Sequence, residues 1–251
     1  MNNLLFHFYC KKHPMTTYAI EQLSKHLYIF DGYKHISISI PSNYTEEDYE
    51  VLLCILEKFD KTCLITTCLN DPKIREGKTF YTSHLPLLSK HIENKTLSDD
   101  DYTFYGHSKG NSHETGSFGI SCWVKFLWKY NIELFYSKVK PHFGNYKFIG
   151  VNKTKGTTNF PLSGFPPFHY QGTFYWFQTK ILQKNNWNKQ TGHILDVEMW
   201  PGYMVDTKEA LNVYIPTKED GTEIDCIHFY ETNNELKKIC EKILNDNENL
   251  L

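Results

Sequence analysis

Residues 102–114, YTFYGHSKGNSHE, set His107, Ser108, Lys109 and Gly110 directly behind an aromatic and β-branched run that reads as a strand. A lysine is a compact charge on a flexible stem, suited to phosphate, and it can do the electrostatic work of a metal ion. His107 could donate to a phosphate oxygen, while Gly106 and Gly110 would let backbone N–H groups approach an anion. The same four residues could equally form a solvated turn. Two later segments carry further chemistry. Residues 169–177, HYQGTFYWF, put the ring faces of Tyr170, Tyr175 and Trp176 beside the small residue Gly172. Aromatic faces there could pack on the C–H face of a sugar, or fill a core strand. Residues 195–202, LDVEMWPG, hold Asp196 and Glu198 in apolar company before a Pro-Gly turn. Such a carboxylate has a raised pKa and can act as a general base, or it can cap a backbone turn.

The elements that must position these groups alternate. Residues 4–10 form a short, largely apolar run, a buried strand. Residues 16–30 carry Ile20, Leu23 and Leu27 on one helical face. Residues 35–40, HISISI, alternate as a second strand, and residues 45–59 open with Thr45 and an acidic first turn, as a capped helix does. Residues 62–69 make a third strand, residues 85–92 a weaker helix and residues 102–106 the fourth strand. Residues 117–135 read as an aromatic-rich helix and 146–152 as a strand. A Gly/Pro/Thr-rich stretch, 153–167, is long enough for a binding loop or lid. The fold class expected is α/β, a mostly parallel, Rossmann-like sheet with helices on both faces, as a single domain over residues 1–231. A polar helical tail over 232–251 follows. Ligands of such sheets bind beyond the carboxyl ends of the strands, where the HSKG loop lies.

The bulk composition narrows the function classes. A net charge of −2 gives no reason to expect nucleic acid. There is one arginine, Arg75, and only two alanines, a pattern of codon usage from which no function follows. Seven cysteines without a C-x-x-C pair are expected to be reduced thiols of a cytoplasmic protein. The opening residues have too short an apolar run for a signal peptide. No stretch of 18 apolar residues exists for a transmembrane helix, though contact with a membrane surface stays open. The run Asp99-Asp100-Asp101 precedes its strand and is expected to be a solvated loop, with no metal site. A G-x-x-x-x-G-K-[ST] phosphate loop is absent, which weakens phosphoryl transfer as a reading.

In combination FYGHSKG, CWVKFLWKY, FIGVN, FHYQGTFYWF and EMWPG resemble a family of small glycosyltransferase-like proteins of bacterial surface-polysaccharide clusters and large DNA viruses. The likeness spans roughly residues 4–205. It implies the GT-A nucleotide-sugar fold and transfer of a sugar, from a UDP-sugar by expectation, to a glycan or lipid-linked oligosaccharide. It also implies that Lys109, helped by His107, stands where other GT-A enzymes hold a metal with aspartates, so no cofactor is required. Glu198 becomes the first candidate base and Asp196 the reserve. His169, Tyr170, Gly172, Trp176 and Trp200 become a sugar or acceptor wall, and Phe8 and Tyr9 lie near the nucleobase. The chain has Gly172-Thr173-Phe174-Tyr175-Trp176 where the family carries G-N-F-W-W, which implies different acceptor contacts. The alternative is a non-catalytic nucleotide-sugar or carbohydrate-binding module on a degenerate form of the same fold.

Overall fold

A computed structural model describes residues 1–109, 117–155, 166–183, 187–188 and 195–215, with residues 223, 238, 240 and 241. Four parallel strands form its first half: β1 (Asn2–Tyr9), β2 (Lys34–Ile40), β3 (Leu64–Leu69) and β4 (Tyr102–His107). Between them run α1 (Pro14–His26), α2 (Glu46–Phe59), the short α3 (Glu76–Thr79) and α4 (Leu85–Ile92). A π-helical turn, Phe80–His84, joins the last two. Proline at the first position of α1 needs no N–H partner there. At α2 the Thr45 hydroxyl accepts from Asp48 N–H and the Asp48 carboxylate accepts from Thr45 N–H, a reciprocal cap.

The second half supplies α5 (Phe118–Trp128), β5 (Phe148–Gly150), β6 (Lys153–Lys155), β7 (Phe168–Tyr170), β8 (Tyr175–Gln178), α6 (Asp196–Met204) and β9 (Ala210–Asn212). The main sheet has the order β3-β2-β1-β4-β8-β5-β9, with β8 antiparallel to both neighbours, and β6 and β7 pair separately. The α/β class and the mostly parallel, mixed sheet are as the alternation predicts. Among the described residues no helix is long and apolar enough to cross a membrane.

Alternation along each strand sorts the core onto two faces. Leu4, Phe6, Phe8, Ile36, Ile38 and Phe104 point to one face, under α1, α2 and α5. Leu5, Tyr105, Tyr175 and Phe177 point to the other, under the α3–α4 segment and α6. The second face also carries a polar row, His7, His35, Ser37 and Ser39, all buried. Alternation in HISISI therefore does not mark a solvent face. The helices cover both sides, and the polar residues must find partners inside.

Three expectations are corrected. The Pro-Gly pair lies within α6 and does not end it. Pro201 lacks the N–H that would reach Val197 O, and the Tyr175 hydroxyl donates to that carbonyl at 2.9 Å instead. Gly202 is required there, because a Cβ would stand 2.1 Å from Phe168 O. Asp101 is not solvated: it is 5% exposed and takes the Ser98 N–H and the Met1 amine. Finally, Cys122 on α5 is disulfide-bonded to Cys240, so not every cysteine is a reduced thiol. Cys10, Cys54, Cys63 and Cys68 are unbridged. The expected tail helix lies outside the described residues apart from positions 238, 240 and 241.

Candidate functional site

The sheet order fixes where a ligand fits. From β1 the chain steps outward to β2 and β3, then returns to the other side of β1 as β4, so the winding reverses between β1 and β4. At such a switch point the loops leaving the two strands diverge and open a crevice at their carboxyl ends. A cavity of about 220 Å³ lies there, lined by His7 and Tyr9 of β1, Ser39 of β2, Arg75 and Glu76 beyond β3, His107 at the end of β4, and Ser108 and Lys109 just after it. Every lining group comes from the end of a parallel strand or the segment after it.

Local geometry explains how the HSK turn is held. Ser108 N–H donates to His7 O at 2.9 Å, extending the β1–β4 pairing by one residue, and the Ser108 hydroxyl accepts from Tyr9 N–H at 2.9 Å. Lys109 N–H then bonds His107 O at 2.7 Å, a tight turn that points the lysine across the strand ends. Its ammonium sits 3.4 Å from Glu198 Oε1 on α6 and 4.8 Å from the centre of the Trp123 ring on α5.

Glu198 joins the three sequence segments. Its Oε1 accepts from the Lys109 ammonium, from Gly172 N–H at 3.0 Å and from the Thr173 hydroxyl at 3.4 Å. Oε2 takes no donor among the described residues. The surroundings expected to be apolar are thus a ring of donors, and Glu198 stands behind Lys109 without lining the cavity. Gly172 (φ +90°) and Thr173 (φ +58°) are both left-handed, and a Cβ on Gly172 would lie 2.8 Å from Leu127 Cδ1. The small residue thus permits close approach of α5, and the carboxylate pins a turn that a threonine adopts only under strain. Arg75, also at positive φ (+46°), is a second strained position at the cavity, and its side chain is exposed.

His107 has a partner other than the expected phosphate. Its Nε2–H faces Gly172 O at 3.3 Å, leaving Nδ1 toward Glu76 Oε1 at 4.0 Å. Burial first, then the Lys109 ammonium, lowers its pKa to about 3, so the imidazole is neutral at pH 7 and the Glu76 contact is not an ion pair. His7 is likewise pushed down to about 3 by burial, against the pull of Glu76.

The remaining expected residues divide by place. Tyr9 reaches the cavity, whereas Phe8 points to the opposite face and packs on Phe6 and Phe59. Trp176 is fully buried, stacked on Phe30 with Nε1–H on Asn131 O. Tyr170 and Trp200 are buried with their polar tips on Leu211 O and Trp187 O. These rings present no face to the cavity and build the core. His169 bonds Thr154 in the β6–β7 pair, and Asp196 lies near Tyr81 and Tyr203, whose pKa values burial and that carboxylate raise. Gly110 and the body of the 153–167 loop, residues 156–165, lie outside the described residues.

Sequence reasoning missed His7, Ser39, Arg75 and Glu76 as site residues. One signal was present. A central parallel strand usually reads as continuous apolar sequence, so polar alternation in HISISI marked residues that must be satisfied by something other than water. Among the described residues no group of three His, Cys, Asp or Glu side chains is placed to hold a metal ion. No protein-family model matches the chain, and no curated protein matches it. Fold and site together define an α/β protein with a small, cation-bearing cleft at the switch point of its sheet.

Proposed function

We propose that the protein is a glycosyltransferase that moves a sugar from a nucleotide-sugar, a UDP-sugar, to a hydroxyl of a glycan or lipid-linked oligosaccharide, with inversion and without a metal ion. The observation that carries this reading is the meeting of three distant segments directly behind one strand-end cleft, where Glu198 joins the cleft-lining Lys109 to Gly172 and Thr173. Transfer places negative charge on the departing diphosphate, and fixed cations facing that charge stabilise the transition state. Lys109, held by Glu198 and Trp123, supplies one cation and Arg75 at the cavity a second. Tyr9 offers a ring to the nucleobase. Glu198 Oε2 takes the acceptor proton, with Asp196 in reserve; a single base suffices for direct displacement by the hydroxyl.

The test is calorimetric titration of chelator-treated protein with UDP, repeated on Lys109→Ala. Binding without metal that the substitution removes supports the lysine-based diphosphate site. Binding that appears only with Mn²⁺ refutes it. One observation favours the second reading, a non-catalytic nucleotide-sugar module: the carboxylate of Glu198 serves Lys109 and the 172–173 turn and does not line the cavity. That reading predicts UDP binding with no turnover of any UDP-hexose.

A further inference from the structure

Behind the cavity the polar row of the second sheet face forms one continuous hydrogen-bonded line. Ser39 Oγ lies 3.2 Å from His7 Nε2, and His7 Nδ1 lies 2.9 Å from both Ser37 Oγ and Thr79 Oγ1. Ser37 Oγ is 2.7 Å from His84 Nε2, His84 Nδ1 is 3.0 Å from His35 Nδ1, and His35 Nε2 is 2.9 Å from Thr66 Oγ1. Ser39 and His7 line the cavity, while Thr66 is half-buried on β3, the edge strand of the sheet. The line therefore runs from the cleft, beneath α3 and α4, to the β3 edge of the sheet.

Its polarity can be worked out. The single hydroxyl proton of Thr79 goes to Glu76 O at 3.0 Å, so toward His7 Thr79 acts as acceptor and His7 must carry Nδ1–H. His7 Nε2 then accepts from Ser39. Ser37 accepts from His7 and donates to His84 Nε2, which leaves His84 Nδ1–H donating to His35 Nδ1 and His35 Nε2–H donating to Thr66. Every donor points the same way, from cavity to edge.

We infer that this line is a proton path that drains the cavity to the β3 edge of the sheet, taking a proton from a phosphate or hydroxyl oxygen of the bound ligand at Ser39. The transfer balances at each step. The ligand oxygen keeps its bonding pair and its proton goes to Ser39 Oγ, whose own proton passes to His7 Nε2. The His7 Nδ1 proton passes to Ser37, the Ser37 proton to His84, the His84 Nδ1 proton to His35, the His35 Nε2 proton to Thr66, and the Thr66 hydroxyl proton to water. One proton enters and one leaves. Return of a proton by the same route as the ligand departs restores each tautomer. The path serves any ligand that sheds a proton at Ser39 and does not depend on the nucleotide-sugar reading.

The experiment is NMR of protein labelled with ¹⁵N-histidine, reading tautomers and imidazole N–H exchange with solvent. Nδ1–H on His7 and His84 with Nε2–H on His35 is expected, and any other set overturns the direction. His84→Gln keeps a donor and an acceptor in place but cannot relay a proton. It should slow exchange of the His7 Nδ1–H by about ten-fold or more at an unchanged melting midpoint. Thr66→Val, at the strand edge and nearly isosteric, should slow exchange at His35 and His84 and covers the case in which His84→Gln fails to fold. Unchanged exchange in the folded variants means the line is structural only and overturns the path.

Discussion

Four of the buried imidazoles, His7, His35, His84 and His107, make acid stability a sharp test of the interior. Burial lowers His7 to about 3, His35 to about 4 and His107 to about 3, and holds His84 well below its ordinary value. Unfolded, each titrates at about 6.5. The folded-state value is the lower one, so the unfolded chain binds more protons between about pH 4 and 6.5. The contribution is fully present above that window and is lost as pH falls through it. At about pH 5.5 each neutral imidazole costs about 1.4 kcal/mol relative to the unfolded state, and the four together about 6 kcal/mol. That is comparable to the whole stability of an ordinary domain, about 5–15 kcal/mol. Asp48 and Asp101, whose pKa values are lowered by their N–H and amine partners, act only at more acid pH and do not blur this window. Urea unfolding at a series of pH values from about 7.5 to 5.5 reads the loss directly. His84→Gln removes one titrating group and should reduce the slope by about a quarter. A flat profile across the window would falsify the buried, neutral assignment.

Other outcomes follow from the site. Glu198→Gln keeps an acceptor for Gly172 N–H and should leave UDP affinity within a few-fold, while UDP-hexose turnover falls about 10²–10⁴-fold; retained turnover removes Glu198 as the base. Lys109→Ala should lower turnover by about 10²–10³-fold, and a smaller loss shifts the charge-stabilising role to Arg75. Gly172→Ala must adopt φ +90° against Leu127 and should cost about 1–3 kcal/mol in chemical denaturation; an unaltered midpoint refutes the strained-turn account. Reduction of Cys122–Cys240, which spans 118 residues of sequence, should lower stability by about 2–5 kcal/mol, read as the difference between melts with and without dithiothreitol.

The parallel half of the fold was legible because its signals are local. Thr45 with its acidic turn marks the start of α2, and the apolar runs of β1 and β4 bound their strands. The second half was harder. Phe168–Tyr170 and Tyr175–Gln178 look like one aromatic segment, yet the left-handed pair Gly172-Thr173 splits it between two sheets, and only tertiary contacts reveal that. Lys109, Glu198 and Gly172 could each be named from residue type, but their meeting depends on the turn after β4 and on α6. The aromatic residues were ambiguous from sequence, since a ring that could stack on a sugar is also good core filling. In Trp176 and Trp200 the core role won, because a backbone carbonyl was within reach of each indole N–H. Arg75 gave no pattern to notice; its importance comes from where the segment after β3 turns.

Because β8 runs against β4, the beginning of one strand arrives beside the end of the other. Two construction systems therefore meet at the cleft. Chain leaving parallel strands lines it, and chain entering an antiparallel one stands behind that lining. The two are tied through Glu198 Oε1, which accepts from both Lys109 and Gly172, and through His107 Nε2–H on Gly172 O. Substitutions on the entering side reach the lining only through these contacts, while β1, β2 and β4 keep a register set among themselves. The architecture thus puts the groups that line the cleft on one system and the support that holds them in place on the other.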